Sequence, residues 1–381
     1  MRIETKSTRS DTRIRNRRFV LQRIYSQSPT TRAEIARDTG LTAATVSELV
    51  ASLMDDQLVV EGGTAPSSGG KPPVLLDMNA DALNLITVDV SGSRWVGSLR
   101  NLRHDILKSK RVVAEQRQGD EAVEAVRDLI DGLAGMATSP ILGVGVGTPG
   151  VVTGEGVVVE APNLGWTNLP LAEILGADRD WRVHVLNDAR ATAMAEFLLG
   201  DHGGRNLFVV KIGRGVGSGI ILDSSTYVGE GFAAGEIGHI KVIPREGSFV
   251  SLESVANTPA LAQALAVQAG VPFIGRPSKF IAAQSAEGGP GVAVVADQLG
   301  RDLGVILASV AGTLDIHHIV LSGPVAPFGE RLLRSVTSEL DSRLLPAVAS
   351  EISVSFGHVD ERHAVEMGVA THLLNTELGV A

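Results

Sequence analysis

The 381-residue chain has no cysteine. That excludes disulfides and every zinc site built on thiolates. No apolar run reaches the length of a membrane span. The opening segment, MRIETKSTRSDTRIRNRR, lacks the apolar core of a secretory signal. No repeat of solenoid length occurs. With 44% hydrophobic and 20% charged residues, the chain reads as a soluble globular protein of two or three domains, expected in the cytoplasm. Its 43 glycines imply many tight turns and close backbone approaches.

The net charge of −9 is unevenly spread. Residues 1–75 hold 11 Lys+Arg against 8 Asp+Glu, and the remainder 23 against 35. A basic end on an acidic body suggests a nucleic-acid contact, although a solvated tail has the same composition. The segment RRFVLQRIYSQ puts Val20, Leu21, Ile24 and Tyr25 on one helical face. Thr31 with Glu34 is a capping-box signature, and Gly40 ends that helix. Thr42 caps a further helix in which Val46, Leu49, Val50 and Leu53 fall at helical spacing. Its outward side presents Thr42, Ala44, Thr45 and Ser47, small and hydroxylated residues suited to a major groove. LVVEGG and PVLLDM read as two strands of a wing, and the loop between them carries Lys71, in reach of a minor groove. A plain helical hairpin followed by a linker is the competing reading.

From residue 83 strands and helices alternate, which predicts two α/β lobes, each built on a strand hairpin. VLNDARATAMAEF places Asn187 and Asp188 where a strand gives way to a helix, the position at which α/β folds put ligand chemistry. Asp188 could be a helix cap or could accept a proton from a substrate hydroxyl. GEIGHIKV and SLESV add Glu236, His239 and Glu253. These three could serve as metal ligands, as an acid–base pair, or as a grip on a ring of hydroxyls. VDVSGSR, with Asp89, and IGRGVGSGI are glycine-rich stretches that could approach phosphates, or could be tight β-turns.

The order of these motifs is more specific than any one of them. VDVSG, GVGTPGVV, APNLGW, LNDARATAMAEF, KIGRGVGSGI, GEIGHIKV and LESVANTPAL follow one another behind the N-terminal helices. In this order the chain resembles the DNA-binding repressors of the ROK family (repressor, open reading frame, kinase), including the xylose and N-acetylglucosamine repressor branch. The resemblance runs from about residue 15 to 375. It implies an α/β protein with an N-terminal winged helix-turn-helix followed by two ribonuclease-H-like lobes of the sugar-kinase type. The divisions it implies are a DNA-binding domain over 1–76, a small lobe over 77–190 completed by 360–381, and a large lobe over 191–359 with the sugar site and a dimer surface.

By the same resemblance Asn163, Asn187, Asp188, Glu236, His239 and Glu253 line a sugar pocket. Asp188 is the position of the kinases' general base. Double-stranded operator DNA would meet Arg17, Arg18, Thr31 and Arg32 together with Thr42, Ala44, Thr45, Ser47 and Lys71. A homodimer or tetramer, a monosaccharide effector and no membrane partner complete the expectation. Two departures stand out. Relatives carry a cysteine zinc motif between the histidine and the glutamate, and this chain has none, so no structural zinc and no cofactor are expected. His239 is expected to hydrogen-bond to sugar or to Glu236. In the phosphate loops Ser91 replaces a glycine beside Asp89, Gly92 and Ser93, and Arg214 interrupts Gly213, Gly215 and Gly217. Both changes imply vestigial nucleotide loops and lost kinase activity, although Asp89 and Asp188 are retained. The alternatives left open are a sugar kinase with a DNA-binding appendage and a sugar-dependent activator.

Overall fold

The computed structural model describes residues 9–65, 72–114, 117–245 and 248–380. Residues 1–8 of the basic arm and Lys71 lie outside the described residues.

The chain begins with α1 (Arg9–Ser26), β1 (Thr30–Thr31), α2 (Arg32–Thr39), α3 (Ala43–Asp55), β2 (Val59–Thr64) and β3 (Val74–Met78). Local chemistry sets each boundary. The Thr31 hydroxyl accepts from the Glu34 amide while Glu34 takes the Thr31 amide, so the capping box is complete. Gly40, at φ 70°, turns the chain out of α2. The Thr42 hydroxyl accepts from the Thr45 amide and starts α3. Val46, Leu49, Val50 and Leu53 then close on Val20, Leu21 and Ile24 of α1 and Ile35 of α2. The strands form a small sheet in the order β1-β3-β2.

The next unit comprises β4 (Asn84–Asp89), β5 (Arg94–Arg100), β6 (Ile106–Val113), α4 (Gly119–Ala134), β7 (Ile141–Thr148), β8 (Val151–Val152), β9 (Val158–Ala161), β10 (Trp166–Leu169), α5 (Leu171–Gly176), β11 (Arg182–Asn187) and α6 (Asp188–Leu199). Its main sheet runs β11-β7-β4-β5-β6. The β4-β5-β6 strands are antiparallel, and β7 and β11 join in parallel. The last unit comprises β12 (Leu207–Ile212), β13 (Val216–Leu222), β14 (Ser225–Tyr227), β15 (Lys241–Arg245), β16 (Ser248–Ser251), α7 (Leu252–Ala256), α8 (Thr258–Ala269), α9 (Pro277–Glu287), α10 (Pro290–Leu314), β17 (His318–Ser322), α11 (Gly329–Arg343), α12 (Pro346–Ala349), β18 (Ser353–Phe356) and α13 (Ala364–Leu373). Its sheet, β14-β13-β12-β17-β18, repeats the first pattern: an antiparallel meander with two parallel strands added. The two sheets point the C-terminal ends of β4, β7 and β11 and the β12–β13 turn at one cleft.

Helices α6 and α13 pack side by side, α6 also against β12 and β13 and α13 against β4 and β7. Their backbones touch. A Cβ at Gly368 would lie 1.8 Å from the Ala191 carbonyl oxygen, so only glycine fits there. On α13, Glu366 is fully buried and faces Arg100 of β5 at 3.6 Å, while the Thr87 hydroxyl donates to it at 3.1 Å. Beyond Glu366, Ala370, Leu373 and Leu374 enter the same apolar cluster as the N-terminal helices. Tyr25 reaches His104 of the β5–β6 turn at 3.1 Å, and Arg103 donates to the Tyr25 carbonyl at 2.6 Å. The N-terminal unit is therefore packed against the body through both apolar and polar contacts.

Candidate functional site

All six candidate pocket residues line one cavity between the lobes: Asn163, Asn187, Asp188, Glu236, His239 and Glu253. Asn163 sits in the turn Pro162–Leu164, which Gly165 ends at φ 66°. The Trp166 indole N–H donates to the Gly119 carbonyl at 3.0 Å and so pins this loop to the start of α4. At the head of α6 the cap is Asn187 rather than Asp188. The Asn187 side-chain oxygen accepts from the Arg190 amide at 2.9 Å, and its amide group donates to the Gly150 carbonyl at 2.9 Å. Asp188 is thereby released from capping and presents its carboxylate to the cleft. Asn187 positions that helix start; its side chain is already engaged at both ends.

Glu236 caps and His239 ends a single turn, Ile237–His239. Gly235 is in the left-handed region at φ 98°, and a Cβ there would lie 2.1 Å from the Ser218 carbonyl oxygen. This close approach presses the turn onto β13. Burial pushes the Glu236 carboxyl above its ordinary value; His239 opposes the shift, and Asp188 and Glu253 add to it. His239 acts on Glu236 electrostatically, and among the described residues no hydrogen bond joins the two, which leaves sugar as the other expected partner of His239. Glu253 accepts from the Val216 amide at 2.9 Å, which ties α7 to the hairpin.

One residue that sequence reasoning missed is Lys211, on β12. Its ammonium donates to Asp188 Oδ2 at 2.6 Å and to Ser91 Oγ at 3.3 Å. Ser91 in turn donates from its amide and its hydroxyl to Asp89 Oδ1, at 2.8 and 2.7 Å. Burial works against the charged lysine, but Asp188 and Asp89 outweigh it and hold its pKa above the ordinary value. One ammonium cannot fully serve two carboxylates, and burial pushes Asp89 upward. Arg190, also missed, donates to the Phe232 carbonyl at 3.1 Å and stands near enough to Glu236 to act on it electrostatically.

A second cavity adjoins the first. Asp89, Gly92, Ser93 and Gly213 line it, whereas Gly215 and Gly217 line the first cavity. Ser91, Gly92, Lys211 and Arg214 line both. Lys211 thus stands at the junction of the two spaces, between the two retained aspartates. Ser91, expected only as the replacement of a phosphate-loop glycine, is part of this hydrogen-bond chain.

On the N-terminal unit, Thr42, Ala44 and Ser47 are exposed along the start of α3, with Thr45 partly so. The Thr42 and Thr45 hydroxyls lie 2.9 Å apart. Other candidates are engaged within the protein. Thr31 is buried, its hydroxyl committed to the capping box. Arg17 pairs with Asp56, and Arg32 with Glu61 at 3.3 Å. The Arg18 stem lies against Gly379. Thr31 is therefore a structural residue and not a free contact.

Comparison with known proteins gives a consistent result. A family described as "ROK family" matches residues 85–370. The xylose repressor of Caldicellulosiruptor bescii is 28% identical over 388 residues, covering 95% of this chain and 96% of that protein. Among solved structures, a ROK family transcriptional regulator described as a homologue of the E. coli MLC protein superposes with a TM-score of 0.82 at 23% identity. It covers 96% of each chain. A ROK family glucokinase from Streptomyces griseus, in complex with glucose and AMPPNP, superposes with a TM-score of 0.66 at 24% identity. It covers 75% of this chain and 98% of that one. The two structural likenesses are likenesses of fold.

Proposed function

The chain belongs to the ROK family, and from that premise we propose that it is a DNA-binding transcriptional repressor of sugar-metabolism genes whose operator affinity is set by a sugar held between its lobes. Residues 1–76 act as a winged helix-turn-helix, with α3 entering the major groove by its Thr42–Ser47 face. A dimer or tetramer presents two such helices to a pseudo-palindromic operator. The protein acts in the cytoplasm, and no described helix is long and apolar enough to cross a membrane.

The observation that carries this reading is the continuity between the cavity and the N-terminal unit. Asp188 opens α6; α6 touches α13 through Gly368; α13 enters the apolar cluster of α1 and α3. A ligand that favours one lobe angle therefore bears on the seat of the N-terminal helices. It shifts DNA affinity only by its differential affinity for the two states, typically about 1–3 kcal/mol.

We read the chain as lacking kinase activity, as needing no cofactor, and as holding no structural zinc in the cysteine-free interval after His239. Asp188 Oδ2 already accepts from the Lys211 ammonium at 2.6 Å, so that oxygen is engaged within the protein rather than open to a substrate hydroxyl. ADP release above background on adding ATP, magnesium and sugar would reverse this part of the reading.

The test of the whole reading uses fluorescence anisotropy with promoter DNA bound by the protein and a panel of monosaccharides. The wild-type chain is released by its cognate sugar. Glu236→Gln binds the same DNA and is not released. Release of the variant at the wild-type sugar concentration would remove the pocket from the mechanism; tighter DNA binding with sugar would make the protein an activator.

A further inference from the structure

A second cluster of chemistry-bearing side chains lies at the far end of α6. Glu196 of α6, His202 of the loop that follows it, and His358 beyond β18 offer donor atoms that all lie within 4.8 Å of one another. Among the described residues no other group of three His, Asp or Glu meets that criterion. The Glu196 side chain is fully buried, with Oε2 3.3 Å from His202 Nε2. Its two oxygens also accept from the His358 and Val359 amides, at 3.0 and 3.2 Å. These hydrogen bonds fix the orientation of the carboxylate. The His202 and His358 rings stand with centroids 5.0 Å apart, and His358 is exposed, which leaves a route in from solvent.

We propose that Glu196, His202 and His358 form a binding site for a divalent transition metal ion of the zinc, cobalt or nickel class. Two imidazoles and one carboxylate are a donor set suited to these ions, with a further position left for water. The hydrogen bonds from the His358 and Val359 amides hold the carboxylate in place, as outer partners commonly do at metal centres. The ion would take the place of the direct 3.3 Å contact between His202 and Glu196. It would fasten the end of α6 to the loop after β18. Glu196 lies eight residues along the helix from Asp188, or about 12 Å, so the ion would brace the helix that carries the pocket carboxylate without entering the pocket. The sequence expectation of a metal-free chain rests on the cysteine-free interval near His239, a different part of the fold.

The test is a cobalt(II) titration of the full chain, free of any affinity tag and stripped with a chelator, followed by visible absorption and calorimetry. One equivalent is expected to bind and to raise the thermal midpoint. His202→Gln and His358→Gln are each expected to weaken binding about tenfold or more, while His239→Ala leaves it unchanged. Wild-type cobalt affinity in both histidine variants, absence of stoichiometric binding to the wild type, or loss of binding in His239→Ala would each overturn the assignment. If His202→Gln fails to fold, the exposed His358→Gln decides the matter alone.

Discussion

Replacing Lys211 by methionine is the sharpest perturbation of the cleft. Methionine keeps most of the volume and removes the ammonium, so Asp188 loses its 2.6 Å partner and Asp89 the cation that acts on it. Breaking a buried pair by deleting one member costs about 3–5 kcal/mol. The Lys211 and Asp188 side chains retain 18% and 12% of their surface, and that residual solvation sets the expectation at the lower end, about 3 kcal/mol. At about 2–4 °C per kcal/mol for a cooperative unit of 150–250 residues, the thermal midpoint should fall by about 6–12 °C. Asp188→Asn alone should also destabilise, because it leaves the ammonium with a weaker partner. The double variant should lose less than the sum of the two, by about 0.5–3 kcal/mol, because the second change removes a charge the first has already stranded. Thermal unfolding of the four proteins followed by circular dichroism at one pH is sufficient. A Lys211→Met midpoint within about 2 °C of wild type, or strict additivity in the double variant, would refute the claim that this pair organises the cleft.

Other consequences are equally direct. Burial holds His104 and His372 down to about 4; both are neutral in the fold, while the unfolded chain takes up protons below about 6.5. Their contribution is therefore present above about pH 6.5 and is lost as pH falls toward 4, by about 2 kcal/mol per group at pH 5. Chemical unfolding at stepped pH should show this loss, and His104→Gln should flatten part of it; an unchanged slope would contradict the burial argument. Thr31→Ala should lower stability by about 1 kcal/mol through the lost cap and leave DNA affinity, measured where the protein is folded, unchanged. Thr45→Ala with Ser47→Ala should do the opposite, weakening specific binding by about 1 kcal/mol or more and binding to random DNA far less. Equal losses on both DNAs would argue against base reading by α3.

The N-terminal helices were legible because their signals are local. Thr31, Glu34, Gly40 and Thr42 set boundaries by capping, and the spacing of Val46, Leu49, Val50 and Leu53 sets the buried face. The strand-to-helix step at Asn187–Asp188 was legible for the same reason, although the cap fell to Asn187. The six pocket residues come from segments far apart in the chain, and their convergence in one cavity followed from the family likeness rather than from any local pattern. Lys211 escaped notice because its partners, Asp188 and Ser91, are 23 and 120 residues away. A faint signal was present: it is the one charge in the otherwise apolar strand LFVVKI, and such a charge needs a partner somewhere. Thr31 misled for the converse reason: a hydroxyl near a basic segment looks available until its burial is known.

The apolar cluster that joins Val20, Leu21 and Ile24 to Ala370, Leu373, Leu374 and Val380 has a consequence during synthesis. The helices made first cannot complete their core until the residues near 380 have left the ribosome. At about 5–20 residues per second that is a wait of roughly 20–60 s, during which the apolar face of the N-terminal helices stays partly uncovered. A nascent chain released early would hold α1, α2 and α3 without the seat that α13 provides. DNA reading is thus expected to appear only after residues 370–380 have folded back against α1 and α3.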